Sequence, residues 1–278
     1  MASRSLINAL RASKPAFGAW VMLPGALNAR MVASSSPHLS WITIDCEHGL
    51  TSLQPGVHES IQAVASLGAS APTTIVRIPA TGASADGSAS WQIKYALDAG
   101  ARGVVVPMVS TAAQATSIVS AARFPPKGIR GFGSPFTESI WGVSSDEYLA
   151  TANDGVLVIV QIETREAMQN LDDILAVDGV DGVFIGPYDL SLAHGYPPPS
   201  PDPHPEVEKM IHEILRKAHA HSKKCAMFCT TGAQAAKRAE EGFDMVNVMT
   251  DKSALTNALA YNLAIASGDT PGSQGMGY

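Results

Sequence analysis

The chain has 278 residues, of which 46% are hydrophobic and 16% are charged, and its formal net charge is −6. This length suits one large domain with a sizeable core, and the acidic balance argues against nucleic acid or an anionic membrane surface as a partner. No apolar segment approaches the ~20 residues that cross a bilayer. Three cysteines form no disulfide framework, which favours a reducing compartment and a cytoplasmic location. The low charged fraction suggests that some helices are buried again between subunits.

The N-terminal segment combines serines with basic residues and has no acidic residue before Asp45, a composition that transit peptides share. Leu6, Ile7 and Leu10, however, form an apolar stripe with helical spacing, and a strand-like run follows at once. We therefore predict that this segment is the first helix of the folded domain.

Eight short, nearly continuous apolar runs follow, and a helix-like pattern separates each from the next. Such runs are typical of parallel strands that are covered on both faces. The predicted strands are 16–23, 41–47, 73–79, 102–109, 156–163, 181–187, 224–230 and 244–250. Eight alternating β and α units predict a (β/α)8 TIM barrel. A doubly wound open sheet is the alternative, but WVMLPGALNAR, at the first strand, lacks the expected G-x-G-x-x-G turn.

Three polar or proline-rich segments interrupt this pattern. Segment 81–90 is a polar insertion after the third strand, 124–136 is rich in proline and glycine, and 194–206 is rich in proline. The last two fall where a lid or a subunit contact could lie. We predict one domain over residues 1–267 and a flexible tail over 268–278.

Polar side chains collect at the ends of four predicted strands. In a TIM barrel the carboxyl ends of the strands form the active site, whereas the opposite rim serves stability. Each residue alone has a structural explanation, such as the capping of the next helix, but together they favour a functional site. The residues at these ends are Asp45, Cys46, Glu47, His48, Arg77, Gln161, Glu163 and Asp189.

The residue types at this rim predict metal-assisted chemistry on an anionic substrate. Glu163 and Asp189 offer hard oxygen ligands for Mg²⁺, Mn²⁺ or Co²⁺. Arg77 offers a fork for a carboxylate or an enolate oxygen, and His48 is a natural proton shuttle near neutral pH. No lysine ends a predicted strand at this rim, which disfavours a Schiff-base mechanism.

The cysteines have simpler interpretations. Strand alternation turns Cys46 away from the face of Asp45, so we predict a packed thiol. Cys225 and Cys229 lie in an apolar run without a second ligand pair, and we interpret them as core thiols rather than zinc ligands. Glu47 stays open as a group that could support a metal-bound water.

Six segments carry a resemblance to a known family: IDCEHG, VRIP, LDAGARGVVVPMV, FPPKGIRGFG, VIVQIETREAMQN and DGVDGVFIGPYDLS. They resemble the HpcH/HpaI family of class II, metal-dependent pyruvate aldolases, to which 4-hydroxy-2-oxo-heptane-1,7-dioate aldolase belongs, over roughly residues 5 to 265. The resemblance implies a barrel whose last helix is exchanged with a neighbouring subunit, commonly in a hexamer built as a trimer of dimers. It also implies reversible cleavage of a 4-hydroxy-2-oxo acid to pyruvate and an aldehyde through a metal-stabilised enolate, with oxaloacetate decarboxylation as a side activity.

The resemblance assigns a role to each rim residue. Glu163 and Asp189 match the metal ligands, Arg77 matches the residue that contacts pyruvate, and His48 matches the acid/base. Asp45 matches an acid near the aldehyde. Only the resemblance points to Asp98, as the carboxylate paired with His48, because at a helix end it looks like an ordinary exposed acid. The further residues predicted to bind substrate are Trp20, Gln161, Gly186, Pro187 and Tyr188.

The chain departs from the family pattern on the aldehyde side, so the electrophile stays open. The 81–90 insertion and the long 194–206 segment change the mouth of the barrel, and Asn28 and Arg30 stand where family members often place a glutamate. A citrate- or malyl-CoA-type lyase acting on CoA esters is one alternative.

That alternative requires a basic patch for the phosphates of CoA. The nearby candidates are Arg123, Lys127 and Arg130, which fit the family's own FPPKGIRG loop equally well. A barrel that binds a dicarboxylate without turnover is the other alternative, although binding alone needs no proton shuttle.

Overall fold

Eight parallel strands close into a barrel, and each strand pairs with its neighbours in chain order. The computed structural model describes residues 5–79 and 89–269. All eight predicted strands are present, so the (β/α)8 prediction is confirmed and the open-sheet alternative is wrong. The strands are β1 (Ala16–Val21), β2 (Trp41–Asp45), β3 (Thr73–Arg77), β4 (Gly103–Val106), β5 (Leu157–Ile162), β6 (Gly182–Ile185), β7 (Lys224–Phe228) and β8 (Met245–Thr250).

Helices surround the barrel and connect successive strands. Between residues 5 and 269, leaving out the undescribed gap at 80–88, there are thirteen α-helices. They are α1 (Ser5–Arg11), α2 (Ala26–Ala33), α3 (His58–Ala65), α4 (Ser90–Asp98), α5 (Ala112–Ala122), α6 (Thr137–Trp141), α7 (Ser145–Gly155), α8 (Arg165–Gln169), α9 (Leu171–Leu175), α10 (Pro187–Ala193), α11 (Pro205–Ala220), α12 (Gly232–Glu240) and α13 (Asp251–Ala266).

The interior of the barrel is a packed aromatic and aliphatic core. Trp20 and Trp41 pack edge to face, with ring centroids 6.5 Å apart. Gly18 makes this packing possible, because a Cβ at this position would lie 2.1 Å from the Trp41 ring. Leu6 and Leu10 of α1 belong to the same core, which confirms that the N-terminal segment is a helix of the domain.

The last helix, α13, packs against its own barrel only through its first turn. Only Asp251 and Ser253 of α13 are buried, whereas Leu255, Leu259 and Leu263 are each more than half exposed. These three leucines are four residues apart, so they lie on one face of the helix. An apolar stripe of this kind normally packs against another element. None of the helices that the structure describes is long and apolar enough to span a membrane.

The three interrupting segments have different outcomes. Most of the predicted insertion at 81–90 lies outside the described residues, as does the tail beyond residue 269. The proline-rich 194–206 segment runs from α10 to α11. It is fastened to α12, where the Gln234 side-chain amide donates a hydrogen bond of 2.8 Å to the carbonyl oxygen of Pro201. The predicted domain boundaries stay predictions.

Candidate active site

A pocket with about 410 Å³ of open space lies at the carboxyl ends of the strands and joins most of the predicted site residues. Its walls come from β1, β3, β5, β6 and β7, from the turn after β2, and from the first turn of α10. The residues that line it are Trp20, His48, Arg77, Gln161, Phe184, Gly186, Pro187, Tyr188, Asp189 and Phe228. Eight of these ten are residues that the sequence predicts to act on substrate or metal.

Asp45 and Arg77 form a buried ion pair at the base of the pocket. Arg77 Nε donates to Asp45 Oδ1 at 2.8 Å, and Nη2 donates to Oδ2 at 2.7 Å. The pair forms because β2 and β3 align Asp45 directly with Arg77. Burial raises the pKa of Asp45, but the hydrogen bonds and the charge of Arg77 outweigh it and hold this pKa below its ordinary value. Asp45 therefore stays ionised and fixes the orientation of the guanidinium, instead of lining the pocket itself.

Glu47 and His48 follow β2, and His48 lines the pocket. Arg77 Nη1 lies 2.8 Å from Glu47 Oε2, and His48 Nε2 lies 3.7 Å from the same oxygen. The imidazole is 52% exposed, so a substrate can reach it. Burial raises the pKa of Glu47 to about 7, opposed by Arg77 and assisted by the charges of Asp45 and Asp189. Glu47 thus links the arginine to the histidine.

Glu163, just after β5, is a buried carboxylate with two fixed hydrogen-bond donors. Its Oε1 accepts from the backbone N–H of Met108 at 2.7 Å, and its Oε2 accepts from the side-chain amide of Gln161. Burial raises the pKa of Glu163 to about 7, although these two hydrogen bonds oppose the shift and the nearby carboxylates of Asp189 and Glu47 add to it. The negative charges of Asp189 and Glu47 therefore disfavour the ionised form of Glu163, and a nearby cation would favour it.

Met108 is a part of the site that sequence reasoning missed. Its φ is +58°, a left-handed backbone conformation. This conformation is energetically unfavourable for any residue that has a Cβ atom. This conformation aims the Met108 N–H at Glu163. The only signal in the sequence is Pro107, which ends β4 early because proline has no N–H to donate to the sheet.

The donor set fits a divalent cation. Glu163 and Asp189 supply carboxylate oxygens, and the buried Oε1 of Gln161 has no hydrogen-bond partner. Carboxylate and amide oxygens are the ligands that Mg²⁺ and related ions take in proteins, with water or substrate in the other positions. Among residues 5–79 and 89–269, no group of three or more His, Cys, Asp or Glu side chains could hold a metal. A cation at this site therefore depends on the two carboxylates and on oxygen from other sources.

Gly186 is required beside this donor set. A Cβ at this position would lie 2.2 Å from Glu163 Oε2 and 3.0 Å from Gln161 Nε2. We therefore expect Gly186→Ala to displace Glu163 and to weaken Mn²⁺ binding by roughly 10- to 100-fold, as changes beside metal ligands do. Isothermal titration calorimetry with Mn²⁺ measures the effect. Gly232→Ala is the matched control, because a Cβ there meets nothing within 4 Å; equal Mn²⁺ affinity in both variants would contradict the expectation.

Aromatic rings form the uncharged wall of the pocket. Trp20 packs edge to face against Phe184 and Phe228, with centroid distances of 5.2 and 5.6 Å, and its ring lies 5.0 Å from Arg77 Cζ. Tyr188 contacts Phe228 in the same manner at 6.4 Å. The sequence analysis did not select Phe184 or Phe228. Phe184 was detectable as the inward-facing position two residues before Gly186. The sequence analysis selected no site residue on β7, so Phe228 had no such neighbour.

Asp98 is not brought together with the other predicted site residues. It ends α4, and its carboxylate bonds Arg130 at 2.9 Å and Lys94. It lines a different cavity, with Tyr95 and His58. The predicted pair with His48 is not formed within the chain. The physical reason is that α4 runs back from β3 towards the start of β4, whereas His48 follows the carboxyl end of β2.

The cysteine predictions agree with the structure. Cys46 packs against the core between barrel and helices, and burial raises the pKa of its thiol to about 12. Cys225 and Cys229 are buried in that same core. Burial raises the pKa of all three thiols, which disfavours the reactive thiolate form.

A closed parallel barrel with a carboxylate pair, an arginine and a histidine at its carboxyl rim defines an active site of a (β/α)8 enzyme. The family model of the HpcH/HpaI aldolase/citrate lyase family matches residues 18–258. The chain is 36% identical to the hydroxypyruvate/pyruvate aldolase of Agrobacterium fabrum, over 97% of this chain and 96% of that protein. It is 39% identical to the 2-keto-3-deoxy-L-rhamnonate aldolase of Klebsiella pneumoniae, over 91% and 89% of the two proteins.

The solved structures agree with these relatives. An HpcH/HpaI aldolase/citrate lyase family protein from Burkholderia cenocepacia superposes with a TM-score of 0.83 at 30% identity, over 95% of this chain and 100% of that chain. The chain belongs to the HpcH/HpaI aldolase/citrate lyase family, as its motifs predict. It is an aldolase, a carbon–carbon lyase.

Proposed function

We propose that the chain reversibly cleaves a 4-hydroxy-2-oxo acid into a small 2-oxo acid, pyruvate or hydroxypyruvate, and an aldehyde. The observation that carries this proposal is one pocket lined by Arg77, His48 and Asp189, with the buried carboxylate of Glu163 directly beside Gly186 in its wall. The names of the two relatives support the 2-oxo acid donor. Decarboxylation of oxaloacetate is the corresponding side activity, because it passes through the same enolate.

Glu163 and Asp189, with Gln161 Oε1, would hold a divalent cation, Mg²⁺, Mn²⁺ or Co²⁺, which when bound supplies electrophilic stabilisation of negative charge on the 2-oxo group. Arg77, held by Asp45, orients the carboxylate end of the substrate through charge-assisted hydrogen bonds. The substrate then lies against the Gly186–Tyr188 backbone.

His48 moves the proton. In the cleavage direction, its ring takes the proton from the 4-hydroxyl group as the C3–C4 bond breaks, and in the synthetic direction it returns that proton to the alkoxide. The aldehyde end of the substrate faces Phe228 and Tyr188. Because the pocket side chains on this side are uncharged, we propose an aldehyde that carries no charged group near its carbonyl.

The test is exchange of the methyl protons of pyruvate into deuterium oxide, followed by mass spectrometry with Mg²⁺ added, together with cleavage of 4-hydroxy-2-oxo acids. We expect His48→Ala to lower the rate of cleavage by about 10²- to 10⁴-fold, the usual contribution of a positioned acid–base group. Mn²⁺ binding should be unchanged, since His48 is no ligand in this scheme. His38→Ala is the control, because His38 is an exposed histidine that precedes β2, at the opposite end of this strand from His48. Full turnover by His48→Ala would refute the assignment.

The same experiment tests the binding-only alternative, and the structure bears on the CoA-ester alternative. A barrel that only binds a dicarboxylate would exchange no pyruvate protons. A CoA-ester lyase needs a basic patch, but Arg123 is buried against Asp181 and Arg130 is buried against Asp98 and Tyr148. These two arginines have structural partners, and the third candidate, Lys127, is exposed but pairs with Asp154 at 3.0 Å. The CoA-ester alternative therefore has less support than the aldolase.

We also propose that the chain is a homo-oligomer, a trimer of dimers, in which α13 packs on a neighbouring copy. The exposed apolar stripe of Leu255, Leu259 and Leu263 supports this arrangement. A cytoplasmic location is consistent with the three cysteines, which are all free thiols.

A further inference from the structure

A buried carboxylate beside the active site has no role in the mechanism above. Asp251 is the first residue of α13, directly after β8. Its Oδ1 accepts a hydrogen bond of 2.9 Å from the Met22 N–H. Its Oδ2 accepts a hydrogen bond of 3.1 Å from the Leu23 N–H and one of 2.7 Å from the Asn28 side-chain amide. All three donors lie in the loop after β1 or in α2, so Asp251 fastens this loop at the mouth of the barrel.

Capping of α13 does not explain these contacts. The N-cap is Thr250, whose hydroxyl accepts a hydrogen bond of 3.0 Å from the Ser253 N–H. Within its own helix, the Asp251 side chain accepts one hydrogen bond, of 2.7 Å, from the N–H of Lys252. Its remaining bonds cross to another element, which a capping role does not require.

Met22 connects the loop held by Asp251 to the turn that carries His48. The Met22 carbonyl oxygen accepts a hydrogen bond of 2.8 Å from the Leu50 N–H. Gly49, the residue before Leu50, is also closely packed. A Cβ at this position would lie 3.1 Å from the Met22 carbonyl oxygen and 2.2 Å from the Asp45 carbonyl oxygen. The backbone around His48 is therefore held on one side by Asp45 and on the other by Met22.

We propose that Asp251 is a positioning residue for His48, acting through the Met22 backbone. The inference rests on the proposed function, which assigns the proton transfer to His48. The His48 ring is half exposed, so its position depends on the backbone that carries it. A carboxylate only accepts hydrogen bonds, and it holds two consecutive N–H groups and an amide at once. A misplacement of about 1 Å far from the chemistry can cost about 10²-fold in rate, which is the effect that Asp251 prevents.

The test compares Asp251→Asn with the unaltered chain in the presence of Mg²⁺. Calorimetric titration with pyruvate counts the intact binding sites and gives the Kd. We expect kcat for aldol cleavage, per intact site, to fall about tenfold or more. The Kd for pyruvate should stay within about twofold, because Arg77 and the Gly186–Tyr188 backbone hold the substrate. The asparagine keeps the size of the side chain but turns a donor towards the Leu23 N–H and the Asn28 amide.

Two further variants make the result specific. The double variant Asn28→Asp/Asp251→Asn restores a donor–acceptor pair between the two side chains, and we expect it to recover part of the lost kcat. Lys252→Ala, at the next and exposed position, should match the unaltered chain. If Asp251→Asn yields no folded protein, Asn28→Ala removes the 2.7 Å bond to Asp251 together with the 3.1 Å bond that Asn28 donates to the Leu23 carbonyl oxygen. This variant loosens the same loop and should lower kcat per site in the same direction.

The outcomes are distinguishable. Unchanged kcat per site in Asp251→Asn, or in Asn28→Ala when that variant replaces it, overturns the inference. So does a loss of activity that only follows a loss of pyruvate-binding sites, because that indicates a purely structural role. An unaltered chain without cleavage or proton exchange refutes the proposed function instead.

Discussion

Replacing Arg77 with alanine is expected to abolish both pyruvate proton exchange and aldol cleavage, and to destabilise the fold by about 3–5 kcal/mol, the usual cost of breaking a buried ion pair from one side. Asp45 would remain buried and negatively charged without the two hydrogen bonds that hold its pKa low. The substrate would also lose the group that orients its carboxylate. The midpoint of urea unfolding at one protein concentration measures the first effect, and the deuterium exchange rate measures the second.

A double variant separates these two effects. Asp45→Ala/Arg77→Ala removes both charges of the pair, so part of the lost stability should return, because no unpaired carboxylate is left at position 45. Activity should stay absent, because the 2-oxo acid still lacks its arginine. A double variant with restored turnover would show that Arg77 serves the ion pair alone.

Removal of metal is the second change with a large expected effect. Chelation with EDTA should lower the cleavage rate by about 10³-fold or more, because metal stabilisation is worth several kcal/mol and each 1.36 kcal/mol is tenfold. Mn²⁺ or Mg²⁺ should restore the rate. Glu163→Gln should make the loss permanent, since it removes a ligand charge and places an amide donor against the Gln161 amide or the Met108 N–H.

Glu166→Gln is the matched control, because Glu166 is an exposed glutamate in the next helix. This variant should bind Mn²⁺ with unchanged affinity in calorimetry and keep full activity. Activity that survives chelation and is blocked by borohydride would instead indicate a Schiff base on a lysine. That result would contradict the metal-dependent scheme.

The fold was predictable because strand periodicity and helix spacing are local properties of the sequence. Each of the eight apolar runs forms a strand, although β4 ends at Val106, earlier than predicted, where Pro107 cannot continue the ladder. The rim residues were predictable for the same reason, because a strand end in a parallel barrel has a known location.

The unpredicted parts of the site depend on partners that are distant in sequence. Asp45 forms an ion pair with Arg77 because the register of β2 and β3 aligns the two residues. No local sequence pattern shows this pairing. Met108 acts through a backbone N–H, which has no side-chain signature. Asp98 was placed by resemblance alone, and within the chain its carboxylate is engaged by Arg130 and Lys94 instead of His48.

The distribution of groups around the rim has a consequence for protein engineering. The charged groups come from β2, β3 and the residues after β5 and β6, whereas Trp20, Phe184 and Phe228 come from β1, β6 and β7. Phe228 contacts Trp20 and Tyr188 but belongs to no ion pair. Under the proposed orientation, in which the aldehyde end of the substrate faces Phe228 and Tyr188, libraries randomised at these two positions are expected to change the range of accepted aldehydes and to keep pyruvate proton exchange. The residues proposed to form the enolate and those proposed to select the aldehyde would then lie on different strands of the barrel.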